Sequence, residues 1–172
     1  MKAKFIITNY LSIFIFIFKI VLFNLISSQN STTTNNFNSE IHLIIQGKGI
    51  QKLLSDYFKE EPSEVIVNGF KQNSCKKSCY LKKDISNITL FFERQLESCK
   101  SMFSNLETII EIDLSKFDFS KVKNMEKMFY GLIHLKKINF GNIDTSLVEN
   151  MDSLFYNCSN LTSIDLSEFN TY

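Results

Sequence analysis

A repeat of 26 residues dominates the second half of the chain and restricts the folds open to it. Phe103, Phe129 and Phe155 recur at this interval, and no insertion or deletion disturbs the register. Other apolar columns keep the same interval: Cys99, Met125 and Met151; Met102, Met128 and Leu154; Leu106, Leu132 and Cys158; Ile109, Leu135 and Leu161; Ile112, Ile138 and Ile164. A unit this short cannot bury its apolar side chains alone, so the pattern predicts stacked units that cover one another.

Each unit predicts one helix and one strand. The apolar stripe of the helix in the second unit is formed by Val122, Met125, Met128, Phe129 and Leu132. Their spacing is typical of one face of a short helix. Residues 135–140 end in the alternation of a short strand, and Asp144 and Ser146 are suited to cap the next helix. The predicted fold class is α/β, a solenoid with one short helix and one short parallel strand per repeat.

The segment before the repeats predicts an N-terminal cap. Its pattern is a strand at 41–46, a helix at 49–58 and a strand at 64–68, which together make a βαβ arrangement. A shortened first repeat follows, with Ile88 and Leu90 in the columns of the first full unit. The predicted domains are therefore a cap at 40–96 and three repeats at 97–172, of which the last is truncated.

The first residues form a separate segment. Residues 1–28 combine a short basic start with a long apolar run, which predicts a secretory signal peptide. The alternative is a membrane anchor made by residues 5–26. Residues 29–39 are polar and low in complexity, so they predict a solvated leader. Both alternatives place the remainder outside the cytosol, secreted or at the cell surface.

Three motifs of the repeat resemble those of a known family. They are "NMEKMF" at 124–129, "LTSIDLSEF" at 161–169 and "DTS" at 144–146. The strand motif resembles the leucine-rich repeat, and the set as a whole is similar to the 26-residue repeat of BspA-like surface proteins, in a protist-type member. Phe117, Ile143 and Phe169 depart from the usual leucine-rich pattern, which has Asn or Cys there. The resemblance implies a leucine-rich-repeat-like fold, a surface location, and binding of host or matrix components.

The cysteines suggest one disulfide. Cys75 and Cys79 lie in a polar stretch, and in a secreted protein such close cysteines favour a bond that fastens the cap. Cys99 and Cys158 fall in apolar columns of the repeat, which predicts small buried side chains. The alternative for Cys99 is a bond to Cys75 or Cys79.

Four Asn-x-Ser/Thr sequons are candidate glycosylation sites, namely Asn30, Asn87, Asn157 and Asn160. Asn157 and Asn160 are expected on an exposed loop, whereas Asn87 is expected to be occluded at the start of a strand. The alternative is that an Asn-rich composition produces sequons by chance.

No residue pattern predicts catalysis, a metal or a cofactor. His42 and His134 are too far from the close cysteines to complete a zinc site. His134 aligns with other polar residues, so it is interpreted as an exposed, variable position. The glycines at 46–54 predict a tight turn rather than a phosphate loop. The lysine pairs at 76–77 and 82–83 are interpreted as a solvated loop around Tyr80, with a weak polyanion contact as the alternative.

The favoured hypothesis is a non-enzymatic, extracellular module for protein interaction or adhesion. Its partner would be an extracellular or cell-surface protein or a matrix component. The formal charge of +1 argues against a nucleic-acid partner, and a membrane is expected only through the N-terminal anchor. The candidate ligand-facing residues are the outward positions of the strands: Glu111, Asp113, Ser115, Lys137, Asn139, Ser163, Asp165 and Ser167. The alternative is a coat or scaffold protein that self-associates through an uncapped C-terminal end.

Overall fold

Eight strands and a series of tight turns make up the computed structural model, which describes residues 39–170. The strands are β1 (Ser39–Gln46), β2 (Gly49–Lys52), β3 (Glu64–Val67), β4 (Phe70–Lys71), β5 (Ser78–Leu81), β6 (Ile85–Phe92), β7 (Ile109–Lys116) and β8 (Lys137–Asn139). These residues lie within one compact unit, Phe37–Tyr172. The predicted signal peptide or anchor at 1–28 lies outside the described residues, as does the leader up to residue 38.

Six of the strands form one mixed sheet in the order β4-β3-β6-β1-β7-β8. β1 is central and pairs antiparallel with β6 on one side and with β7 on the other. β8 pairs parallel with β7, and Ile138 lies opposite Ile112 in the register of the repeat. β2 and β5 form a separate antiparallel ribbon of two strands.

The central strand β1 follows directly from the alternation in its sequence. Ile41, Leu43 and Ile45 are buried, whereas His42 and Ile44 between them are half-exposed. Successive side chains of a strand point to opposite faces, so this pattern gives the sheet one core face and one outer face.

The segments predicted to be helices instead form successive tight turns. These turns stack from unit to unit, and we call the stack the turn wall. Residues 39–170 contain no helix, so the predicted α/β solenoid with one helix per repeat is wrong. In the second unit, the backbone N–H groups of Met125, Lys127, Phe129 and Gly131 donate to carbonyls of the third unit at 2.8–3.1 Å. An α-helix would direct these groups at the carbonyl four residues back. Here the neighbouring unit accepts them, and the hydrogen bonds run along the stack.

Two positions in each repeat unit have a left-handed backbone, and these positions produce the turns of the wall. One column is Ser101, Lys127 and Ser153, with φ of 56°, 55° and 55°, and the other is Asn105, Gly131 and Asn157, with φ of 58°, 72° and 60°. Such residues interrupt a right-handed helix. The N–H groups between them close local turns, as Met128 does onto the carbonyl of Met125 at 3.1 Å.

The N-terminal region is not the predicted βαβ cap. The predicted strands at 41–46 and 64–68 correspond to β1 and β3, but the segment 49–58 forms β2 and turns instead of a helix. β6 lies between β1 and β3, and β1 in turn separates β6 from β7. The strand of the shortened first repeat therefore does not pair with the strand of the next unit, because β1 lies between them.

The third unit also departs from the expected parallel ladder. Residues 161–166 have no assigned strand, and Leu161 and Ile164 are only half-buried. Within the described residues, the parallel pairing of successive units is therefore seen once, between β7 and β8.

The core lies between the sheet and the turn wall. Phe129 is fully buried and stacks on Phe103 and Phe155, with ring centroids 6.0 and 5.3 Å apart. Met125, Met128 and their partners in the predicted columns of the first two units are buried as well. In the first two units the repeat register thus correctly predicted which side chains form the core, whereas most members of the same columns in the third unit are only half-buried.

Cys75 and Cys79 are joined by a disulfide, with their Cα atoms 5.0 Å apart. Cys99 is a free and fully buried thiol, so it forms neither of the alternative bonds. Burial raises the pKa of the Cys99 thiol, which keeps it protonated. Cys158 is also free and half-buried, and its thiol donates to the carbonyl of Phe129 at 3.0 Å.

Candidate binding face on the six-stranded sheet

One row of side chains crosses four neighbouring strands on the outer face of the sheet. Thr89, His42, Asp113 and Asn139 lie opposite one another on β6, β1, β7 and β8. Thr89 Oγ1 lies 3.2 Å from His42 Nδ1, and Asn139 Nδ2 donates to Asp113 Oδ1 at 3.1 Å. We call these four residues the polar row. Because hydrogen bonds fix its side chains, the row is ordered before any ligand arrives.

A carboxylate holds the imidazole of the row from its other side. His42 Nε2 lies 2.8 Å from Glu40 Oε1, while the His42 side chain remains 40% exposed. Lys116 Nζ also contacts this carboxylate, at 3.3 Å. His42 is thus contacted at both ring nitrogens while part of its side chain remains exposed to solvent.

A shallow depression of ≈ 370 Å³ includes three residues of the polar row in its lining. Besides His42, Asp113 and Asn139, its lining includes Glu111 and Lys137, which lie opposite each other on β7 and β8. A register shift between β1 and β7 near Glu111 marks a β-bulge, and such bulges re-aim the side chains beside them. The polar groups of the depression are therefore two carboxylates, an ammonium group, an imidazole and two amides, the second amide being that of Asn87.

The structure brings together half of the predicted ligand-facing residues. Glu111, Asp113, Lys137 and Asn139 line the depression, and Ser115 is exposed near the end of β7. The predicted positions of the third unit, Ser163, Asp165 and Ser167, are exposed but lie outside any strand. Asp165 borders a separate hollow of ≈ 80 Å³ next to Asn139.

Some of the predicted surface residues also stabilise the local backbone. In each of Asp113, Asn139 and Asp165, the side-chain Oδ1 accepts a hydrogen bond from the backbone N–H two residues further along the chain. The distances are 2.9, 3.2 and 2.9 Å, respectively. This local bond is an Asx turn, which Asp and Asn make equally well. Asp144 makes the same bond to the N–H of Ser146 at 2.9 Å, but the helix that it was predicted to cap is absent.

Hydrogen bonds lower the pKa of Asp113. Burial acts to raise the pKa of this carboxyl, but hydrogen bonds from Ser115 and Asn139 and the nearby charge of His42 outweigh burial. The pKa therefore lies below its usual range, and the charged form is stabilised by folding.

This shift predicts a loss of stability in acid. The contribution of Asp113 is complete above about pH 4 and disappears as the pH falls through the lower pKa of the folded state. We expect the stability advantage of the native protein over Asp113→Asn to shrink by about 0.5–1 kcal/mol between pH 5 and pH 2, because the site is partly exposed. Urea denaturation at a series of pH values measures the difference, and a constant difference would contradict the assignment.

Thr89, His42 and Glu40 form a series of hydroxyl, imidazole and carboxylate, the group types of a nucleophilic triad. Acyl transfer also needs backbone N–H donors beside the hydroxyl to hold the developing oxyanion. Thr89 lies within β6, which is paired on both sides by β3 and β1. The backbone beside Thr89 is thus committed to the sheet, and the arrangement is better suited to binding than to hydrolysis.

The remaining predicted positions are distributed over the surface. Asn157 and Asn160 are exposed as expected, and Asn87 is exposed too, so its predicted occlusion is wrong. Asn30 lies outside the described residues. His134 is exposed, and its Nδ1 lies 2.9 Å from the carbonyl of Glu107. Within residues 39–170, no group of His, Cys, Asp and Glu side chains has the arrangement of a metal site.

Sequence reasoning missed the role of His42. The signal was present, because His42 falls between buried residues of the predicted strand at 41–46 and must therefore face outward. What the sequence did not reveal is that β1 lies next to β7, which brings His42 to Asp113.

The fold is that of a repeat protein of strands and turns, and its sheet presents a polar outward face. Residues 81–172 match the family described as "Mycoplasma protein of unknown function, DUF285". This match covers more than half of the chain, and the protein belongs to that family. No curated protein and no solved structure matches the chain. Across the described residues, 39–170, there is no helix of a length and apolarity that would cross a bilayer.

Proposed function

We propose that the protein is an extracellular, non-enzymatic module that binds another protein or a matrix component through the outer face of its sheet. The observation that carries this proposal is the polar row, which is held in place across four strands. A surface that is already ordered loses little conformational entropy on binding, so more of its contact energy is available as affinity.

The composition of the depression fits a macromolecular partner. Charged groups of both signs, Glu111, Asp113 and Lys137, line it together with the half-exposed apolar side chain of Ile44. Protein interfaces combine an apolar centre with a polar rim in this way, and the charges select the partner.

An extracellular location has independent support in the chain. Residues 5–26 have the composition of a signal peptide or anchor, and the Cys75–Cys79 disulfide is typical of an oxidising compartment. The exposed sequons at Asn157 and Asn160 agree with a secretory route. The BspA-like resemblance stays a prediction, and it points the same way.

The test replaces the charges of the depression while preserving the fold. In the triple variant Glu111→Gln, Asp113→Asn and Lys137→Ala, the new asparagine keeps the Asx turn, as Asn139 does in the next unit. We expect at least a tenfold loss of binding to cells or matrix-coated surfaces, since each charged contact contributes about 1 kcal/mol or more. Because Asn87 lines the same depression, unglycosylated protein is used.

A matched triple variant on other surfaces serves as the control. Lys121→Ala, Glu149→Gln and Asp152→Asn remove the same kinds of charge at exposed positions outside the depression. The control should bind like the native protein. Equal binding by native protein and test variant would exclude this face as the recognition surface.

Self-association through the third unit remains the second proposal. Leu166 is 40% exposed, and Leu161 and Ile164 beside it are half-buried. These apolar side chains favour a contact between copies, but the polar row has no role in it.

A further inference from the structure

The ribbon outside the main sheet presents an apolar pair to solvent. Ile50 on β2 lies directly opposite Tyr80 on β5. Ile50 is 77% exposed and Tyr80 is 66% exposed. Two large side chains in register on one face form a small, continuous apolar surface, and such a surface is a candidate for contact with a partner.

The other face of the ribbon is firmly attached to the protein. Leu81 and Cys79 alternate with Tyr80 and are buried, and Cys79 is bonded to Cys75. The N–H of Leu53 donates to the carbonyl of Lys77 at 2.7 Å, which ties the end of β2 to the loop before β5. Ile50 and Tyr80 are therefore held outward by the anchored side of the same strands.

Positive charge is concentrated around this pair. The ribbon and its flanking turns, residues 47–56 and 74–85, contain six lysines and two aspartates, a net charge of +4. The other residues between 39 and 170 contain ten Lys or Arg and sixteen Asp or Glu, a net charge of −6. We call residues 47–56 and 74–85 the lysine ribbon. Residues 39–170 have a net charge of −2, so the lysine ribbon stands out within them as a positively charged segment, and its charge is complementary to an anionic partner.

Some of these lysines are engaged and others are open. Lys48 pairs with Asp84 at 3.1 Å, Lys52 pairs with Asp56, and Lys76 donates to the carbonyl of Pro62 at 3.1 Å. Lys82 and Lys83 follow the strand that carries Tyr80, and both are exposed. Among the described residues, neither of them forms an ion pair. Their full charge is available to a partner beside Tyr80.

We propose that the lysine ribbon docks the protein on an anionic lipid surface, with Ile50 and Tyr80 inserted among the headgroups. Lysines near such a surface are attracted by its potential, and exposed apolar side chains gain by leaving water. Tyrosine is suited to this depth because its ring is apolar and its hydroxyl stays hydrated. This surface is separate from the polar row, so it adds a second contact to the proposed recognition function.

The chain contains no tryptophan, which allows a site-specific test. In Ile50→Trp, the single tryptophan reports on the ribbon of the full-length chain. We expect its emission to shift to the blue with vesicles that contain phosphatidylserine, and to stay unchanged with phosphatidylcholine alone. The matched control is Phe70→Trp, because Phe70 is 74% exposed on β4, outside the lysine ribbon. Its emission should not shift with either vesicle.

Charge removal then tests the electrostatic contribution. In the Ile50→Trp background, Lys82→Gln with Lys83→Gln should weaken vesicle binding by about 25-fold, from roughly fivefold per lysine. Lys121→Gln with Lys123→Gln, an equally exposed pair elsewhere, should change it by less than about twofold. Residues 1–28 are present in every variant, so vesicle binding through that apolar segment alone would leave the emissions of Ile50→Trp and Phe70→Trp alike.

The proposal would be overturned if the emission of Ile50→Trp did not shift, or if it shifted equally with neutral vesicles. An equal shift in Phe70→Trp would overturn it as well. So would unchanged vesicle binding after Lys82→Gln with Lys83→Gln. A shift with soluble polyglutamate but not with vesicles would assign the ribbon to an acidic protein instead, and would also overturn it. Loss of binding in the sheet-face variant without loss of the vesicle shift would show that the two surfaces act separately.

Discussion

Phe129→Ala is expected to lower the free energy of unfolding by about 3–5 kcal/mol, the usual cost of removing a fully buried ring. Phe129 has no exposed surface and is stacked between Phe103 and Phe155. Its edge also meets the ring of Phe140, with centroids 5.8 Å apart. Alanine would leave a cavity between three units of the repeat. The rings on both sides belong to units that are hydrogen-bonded to the second unit, which limits how far they can move to refill that space.

Urea denaturation measures this loss as a lower midpoint with an unchanged slope. The matched control is Tyr156→Ala. Tyr156 stacks on Tyr130 at 5.0 Å but is 60% exposed, so its removal should cost less than about 1 kcal/mol. If Phe129→Ala cost no more than Tyr156→Ala, the stacked column would not be the centre of the core.

Gly141→Ala is expected to destabilise the protein by about 2–4 kcal/mol, from backbone strain and a steric clash together. Gly141 follows β8 closely and has a left-handed φ of 57°. A Cβ at this position would lie 2.8 Å from the Cα and from the Cβ of Ser115. One of these two obstacles is backbone, which cannot rotate away as the end of a side chain could.

Gly49→Ala separates the two causes. Gly49 also has a left-handed φ, of 81°, but a Cβ there would have nothing within 4 Å. Its substitution should therefore cost only the backbone strain, about 1–2 kcal/mol. Thermal or urea denaturation of both variants gives the difference. Equal losses would mean that β8 can move away from the end of β7.

The core could be predicted from the sequence because burial repeats with the register. Met125, Met128 and Leu132 are fully buried where the columns require it. Their backbone could not be predicted in the same way. Apolar spacings of three and four residues fit one face of a helix and also fit consecutive tight turns. The difference lies in where the N–H groups donate, and that depends on a neighbour 26 residues away.

One of the two left-handed columns of the turn wall can be recognised in the sequence. Asn105, Gly131 and Asn157 share a left-handed backbone, and Asn and Gly are the residues that favour it. The other column holds Ser101, Lys127 and Ser153, which carry no such signal. A repeat of Asn and Gly inside a predicted helix would have been reason to question that helix.

The candidate face was only partly predicted, for a related reason. Glu111, Asp113, Lys137 and Asn139 follow from strand alternation within the repeat, which is local. His42 and Thr89 come from outside the repeat, and they join the face only because β1 lies between β6 and β7. No periodicity relates these strands, so their order depends on packing over the whole sheet.

The hydrogen bonds between units also determine how the protein responds to mechanical load. They run along the stack, so a pull that separates the third unit from the second acts on all bonds of that interface together. The interfaces would open in succession, each as a whole, instead of unravelling residue by residue. Each released unit of 26 residues adds up to about 90 Å of extended chain. A molecule that joins two surfaces would then lengthen in steps while its remaining units stay folded.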